Sequence, residues 1–143
     1  MKKSTENNSI RCNLFFIKNT NLPIIGVELK YYGHTSLSID WDENFGNVLW
    51  MGNFVLVNEK NGISKDNTES LYMKTGNTYK AEKNIKLNLG DELNSTLDFS
   101  KLPISLENNL ISKKNSILKL YYNYKDKNGI EKLQPISNEL ILK

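Results

Sequence analysis

Apolar residues in this chain recur at every second position, the spacing of a strand with one face buried, and helical spacing is hard to find. "IRCNLFFIK" (10–18) sets Ile10, Cys12, Leu14 and Phe16 on one face and Phe15 and Ile17 on the other. After the turn "NTNLP", the run "IIGVELKYYG" alternates Ile25, Val27, Leu29 and Tyr31 against Glu28, Lys30 and Tyr32, a half-buried strand with a solvated back. "SLSIDW" groups Leu37, Ile39 and Trp41. "NVLWMGNFVLVNEKNG" reads as one or two further strands, with Gly52 at a bulge and Gly62 in a hairpin turn. "SLYMKTG" and "NIKLNL" are short strands, the second alternating Ile85, Leu87 and Leu89 before "GDE" breaks it. "LNSTLDFSKLP" carries Leu93, Leu97 and Phe99 and stops at Pro103, and 104–115 is either a loop or a short helical turn.

The last third has the clearest period. "SILKLYYNYK" places Leu118, Leu120, Tyr122 and Tyr124 on one face, and Ile117, Lys119, Tyr121 and Asn123 on the other. "DKNG" is a hairpin signal with Gly129 where a left-handed residue is wanted. The returning run "IEKLQPISNELILK" is interrupted at Pro135, which predicts an edge, a bulge or a change of sheet. About eight or nine strands at this spacing predict an all-β fold, an antiparallel β-sandwich or small barrel. No repeat or linker intervenes, so the expected organisation is a flexible polar segment over 1–9 followed by one domain over 10–143.

The succession "FVLVNEKNG", "NIKLNLGDEL", "LDFSKLP", "SILKLYYNYKDKNG", "SNELILK" resembles the second half of bacterial immunoglobulin-like sandwiches. In those, a strand ends in a turn and a leucine–glycine–acidic corner follows a middle strand. A tyrosine-rich strand then pairs with a last strand bearing a Ser-Asn-Glu run. The resemblance covers residues 54–143 and is one of element types; the paired cysteines of antibody domains are missing. It implies an immunoglobulin-like antiparallel β-sandwich that binds proteins or sugars, or acts as a spacer, and rarely catalyses.

Composition narrows the functional classes. With 38% hydrophobic and 24% charged residues, the 143-residue chain is polar yet able to form a core. Its net charge of +3 comes from scattered lysines, and Arg11 is the single arginine. Specific nucleic-acid recognition, which leans on the arginine fork, is therefore not expected. Cys12 is the only cysteine, so no intramolecular disulfide can form, and in a strand-like run it reads as a small core residue. No run is long and apolar enough for a signal core or a transmembrane segment. The lack of cysteine pairs leans toward a cytoplasmic location, the alternative being a secreted chain whose signal peptide has been removed.

Candidate chemistry gathers in "DWDENFGNVLW" (40–50). Asp40, Asp42 and Asn44 alternate like the first ligands of a helix–loop–helix calcium site, but Phe45 and Met51 stand where that site needs glycine and a bidentate glutamate. A looser calcium loop from Asp40, Asp42, Glu43 and Asn44 competes with a plain solvated turn, and the turn is the favoured reading, with no other cofactor expected. Trp41 and Trp50 suit a sandwich core. Exposed, they would combine with Asp42, Glu43, Asn44 and Phe45 into a contact for a basic protein partner or a sugar. Among the tyrosines, Tyr32 and Tyr121 are expected on the surface, with Tyr31 and Tyr122 inside. His34 is the only histidine, and no zinc set, GxSxG elbow or phosphate loop occurs, so no catalytic residue is assigned.

The expected function is a non-catalytic module that engages a protein partner, of inhibitor, immunity or adaptor type, through loops at one end of the sandwich. The alternatives are a carbohydrate- or calcium-dependent surface module, and an assembly subunit that self-associates through an edge strand such as 136–142.

Overall fold

The computed structural model describes residues 9–50, 53–59, 83–101 and 116–142, and in these ranges the alternating runs are strands. They are β1 (Ile10–Lys18), β2 (Ile24–Tyr31), β3 (Leu37–Trp41), β4 (Phe54–Asn58), β5 (Lys83–Leu87), β6 (Glu92–Asp98), β7 (Ile117–Lys125), β8 (Glu131–Pro135) and β9 (Leu140–Ile141). Pairing is antiparallel throughout these strands: one sheet runs β1-β2-β6, a ribbon pairs β3 with β5, and a second sheet runs β4-β7-β8, with β9 also on β7. The inward rows merge into one core. Leu14, Val27 and Leu29 come from the first sheet, Ile39 and Leu87 from the ribbon, and Leu56, Leu118 and Leu120 from the second sheet. The architecture is an all-β antiparallel sandwich. Each fully buried side chain such as Leu118 or Leu120 contributes roughly 1.5–3 kcal/mol over its exposed state.

Most of the faces read from the alternation hold. Ile25, Val27, Leu29 and Tyr31 are buried, Glu28, Lys30 and Tyr32 are exposed, and Gly129 adopts the left-handed backbone (φ 79°) in the hairpin between β7 and β8. Two expectations are corrected. The stretch read as strand at its start is a helix, α1 (Phe45–Trp50), because Phe45, Val48 and Leu49 recur at i, i+3 and i+4 and all three are buried. Tyr121, expected on the surface, is buried with Val55 and Val57 in a second small cluster. The cause lies in β4, whose "FVLVN" is buried at every position, as a strand covered on both faces must be. The Gly52 bulge, the Gly62 turn, the "SLYMKTG" strand, the reading of 104–115 and residues 1–8 of the N-terminal segment lie outside the described residues.

Pro135 ends β8 where the chain changes partner. The Ile136 N–H donates to the Leu120 carbonyl of β7 (3.0 Å), while the Ile136 carbonyl accepts from Cys12 N–H of β1 (2.8 Å). By the alternation of an antiparallel ladder, the nitrogen of Pro135 then faces away from β7, where a missing N–H costs no bond. The Ser137 hydroxyl accepts the Leu120 N–H (2.8 Å). The Asn138 side chain next behaves like a piece of strand: its Oδ1 accepts Leu14 N–H (2.8 Å) and its Nδ2 donates to the Leu14 carbonyl (3.0 Å). Residues 136–138 thus tie β7 to the outer edge of β1. Asn138→Ala removes both bonds to Leu14 and is expected to cost ~1–2 kcal/mol in urea unfolding. Its exposed neighbour Glu139→Ala should stay within about 0.5 kcal/mol of the parent. Equal midpoints for the two variants would remove the clamp from this account.

Candidate functional site

The 40–50 stretch is a hydrogen-bonded corner. Trp41 closes β3 with its ring buried, meeting Phe45 and Phe54 edge-on at centroid separations of 5.6 and 5.8 Å. Its indole N–H donates to the Asn94 carbonyl of β6 (3.1 Å). Asp42, only 5% exposed, accepts the Asn44 N–H (2.7 Å) and the Asn47 Nδ2 (3.3 Å). Asn44 Oδ1 in turn accepts the Gly46 N–H (3.0 Å), capping α1. The corner is anchored to β6 by Ser95, whose hydroxyl lies 2.7 Å from the Asp42 carbonyl and 2.9 Å from that of Glu43, and by the Thr96 N–H donating to the Glu43 carbonyl (3.0 Å).

This geometry corrects the role given to the stretch. Trp41 and Phe45 belong to the core and Asp42 is a buried turn-former, so these three present no contact surface; Glu43 and Asn44 remain exposed. The side chain of Trp50 lies outside the described residues. Two of the three carboxylates of the calcium alternative are committed to amides, Asp42 as above and Asp40 to Asn84 Nδ2 (2.8 Å). Among the described residues no three His, Cys, Asp or Glu side chains gather as a cation site. A buried carboxylate needs such donors, since burying it without them is costly. Cys12 also lacks the setting of a nucleophile: burial pushes its thiol from the ordinary 9.0 up to about 12. His34 is exposed in the turn after β2.

A different surface brings polar and charged side chains together. The outward residues of β1, β2 and β6 align by register into rows across the sheet: Arg11–Lys30–Glu92, then Asn13–Glu28–Asn94, then Phe15–Gly26–Thr96. The first two rows line a shallow concavity of about 340 Å³. Asn13 Nδ2 donates to Glu28 Oε1 (3.3 Å), and Lys30 Nζ stands 3.7 Å from Glu92 Oε2, both pairs exposed and so worth little to stability. At one end Lys30 lies over the Tyr32 ring, 5.5 Å from its centroid. At the other, the tip of the Phe15 ring occupies the space a β-carbon at Gly26 would need, 2.2 Å from where it would stand. Gly26 is therefore required by close approach of a ring. Sequence reading put Glu28, Lys30 and Tyr32 on the solvated back of a strand and gave Asn13, Glu92 and Asn94 no face. The legible signal was the lone glycine inside the alternation of "IIGVELKYYG".

No protein-family model, curated protein or solved structure matches the chain.

Two outcomes test the corner and the thiol. Ser95→Ala, which takes the Ser95 hydroxyl donor away from the Asp42 carbonyl while Glu43 keeps the Thr96 N–H, should lower unfolding free energy by ~1–3 kcal/mol. A change near zero would show that the corner stands without the Ser95 hydroxyl. Cys12 keeps its proton in the fold at pH values where the unfolded chain has lost it, so the stability it contributes is complete below 9.0 and lost as pH rises toward about 12. The stability–pH curve of Cys12→Ala should accordingly fall less steeply over that range than the parent's, and parallel curves would contradict the burial argument.

Proposed function

We propose that the protein is a non-catalytic recognition module that takes its ligand on the open face of the β1-β2-β6 sheet. The observation that carries this reading is the concavity over the first two rows, where polar side chains stand on three hydrogen-bonded strands. Side chains fixed on strands hold their geometry better than those on loops, so they suit a binding surface that needs no rearrangement. The exposed remainder of the 40–50 stretch fits as a rim, because the bridge between Asn44 and Thr96 sets Glu43 and Asn44 beside the β6 edge of this face.

The immunoglobulin-like kinship is part of the same proposal. In constant-type domains the sheets order as A-B-E-D and C-F-G. The orders β1-β2-β6 and β4-β7-β8 correspond to A-B-E and C-F-G, and the β3-β5 ribbon is the departure. Such a frame is used for recognition far more than for chemistry, which supports a binding role without naming a partner.

The test compares the parent with Glu28→Arg/Asn94→Arg on the face and Lys132→Glu on β8, each checked for an unchanged melting curve. Components of a source-organism extract retained by the parent should be lost at least about tenfold from the face variant and kept by the β8 variant. Equal retention by all three forms, or none by the parent, rejects the reading.

A further inference from the structure

The make-up of the open face narrows the ligand, and the inference rests on the binding role proposed for that face. We infer that its ligand is a neutral, hydroxyl-rich chain, a glycan, lying along β2 between Tyr32 and Phe15. Charge is the first argument. Among the residues that line the concavity, Arg11 and Lys30 are balanced by Glu28 and Glu92, so its floor carries no net charge to favour a polyanion or a basic peptide. Hydrogen-bonding chemistry is the second. The row Asn13–Glu28–Asn94 puts amide, carboxylate and amide side by side, one per strand and ~4.8 Å apart. Each amide both donates and accepts, and so does each hydroxyl of a sugar, whereas a carboxylate gives two acceptors for neighbouring hydroxyls.

Ring placement is the third. Tyr32 and Gly26, the glycine that Phe15 covers, are six residues apart along one extended run, ~20 Å, so an aromatic surface stands at each end of the polar rows. Tyr32 is 49% exposed, enough to offer a ring to the C–H face of a sugar. The same layout suits a protein partner poorly, since the middle of a protein interface is depleted in charge and built on apolar anchors. Here the centre is charged and amidic, and the rings are peripheral.

The experiment is calorimetric titration of the intact protein with neutral hexasaccharides of β-1,4-glucose, α-1,4-glucose, β-1,4-xylose and β-1,4-N-acetylglucosamine. At least one is expected to bind, with affinity changing less than about twofold between roughly 0.05 and 0.5 M salt. Asn94→Ala and Tyr32→Ala should each weaken that binding about tenfold, and Tyr32→Phe, which keeps the ring, should stay close to the parent. Unchanged melting curves separate these effects from misfolding. Failure of every hexasaccharide to bind overturns the inference. Binding of a heparin hexasaccharide or a lysine-rich peptide that the face variants abolish also overturns it, while leaving the face as a binding site. A hexasaccharide that binds all variants equally overturns both the inference and the location of the site.

Discussion

A buried indole has one N–H to place, and leaving such a donor unpaired costs about 1–3 kcal/mol. In this protein the Trp41 N–H goes to the Asn94 carbonyl of β6, so the end of β3 must come to the outer edge of that strand. The turn that follows is held there by the Ser95 hydroxyl and the Thr96 N–H, and α1 starts from the Asn44 cap within the same few residues. The rings then carry the constraint across the interior. Trp41 meets Phe45 and Phe54, and Phe54 meets Tyr122 at 5.2 Å, so β3, α1, β4 and β7 share one edge-to-face cluster. Each such pair contributes ~0.5–1.5 kcal/mol beyond its buried area. Trp41 and its hydrogen bond thereby join the ribbon, the helix and the second sheet to β6, and residues 136–138 tie β7 to β1 on the other side of the first sheet.

The two large sheets differ in what they leave outside. Beyond the core, β4 and β7 bury Val55, Val57 and Tyr121, and the Tyr121 hydroxyl donates to Glu59 Oε1 (3.0 Å). Desolvation and that neighbouring carboxylate together push the phenol up to about 12. The outer face of β1-β2-β6 is instead exposed and polar, with Phe15 partly sheltered over Gly26. The candidate site lies on the sheet whose outer surface meets solvent.

Strand faces were legible because polar and apolar residues alternate cleanly, as in Ile25, Val27, Leu29, Tyr31 and in Leu118, Leu120, Tyr122. Where a segment is apolar at consecutive positions the alternation fails, and the two corrections to the fold, α1 and Tyr121, arise there. "FVLV" in β4 conceals a second covered face, which hid the burial of Tyr121. "VLW" in α1 looks like strand because the helix has only six residues and shows its i, i+3, i+4 spacing once. The 40–50 stretch drew attention through its composition. Its meaning depended on Ser95 and Asn94, more than fifty positions away, which no local pattern could supply. The open face was hidden for a related reason: Asn13, Glu28 and Asn94 form a row only once the registers of β1, β2 and β6 are known.

The Asn138 side chain that completes the edge of β1 is separated from Leu14 by 124 positions. Closing a loop of that length has an entropic cost that must be met before the contact returns anything. On the ribosome, the first strand therefore emerges long before the group that covers its edge has been synthesised. During that interval the edge remains open to pairing with other nascent chains, a hazard for any strand without a neighbour. Pairing of β2 with β1, across the short turn at 19–23, covers only the opposite side. The group that covers the outer edge of β1 is thus among the last parts of the described chain to be synthesised.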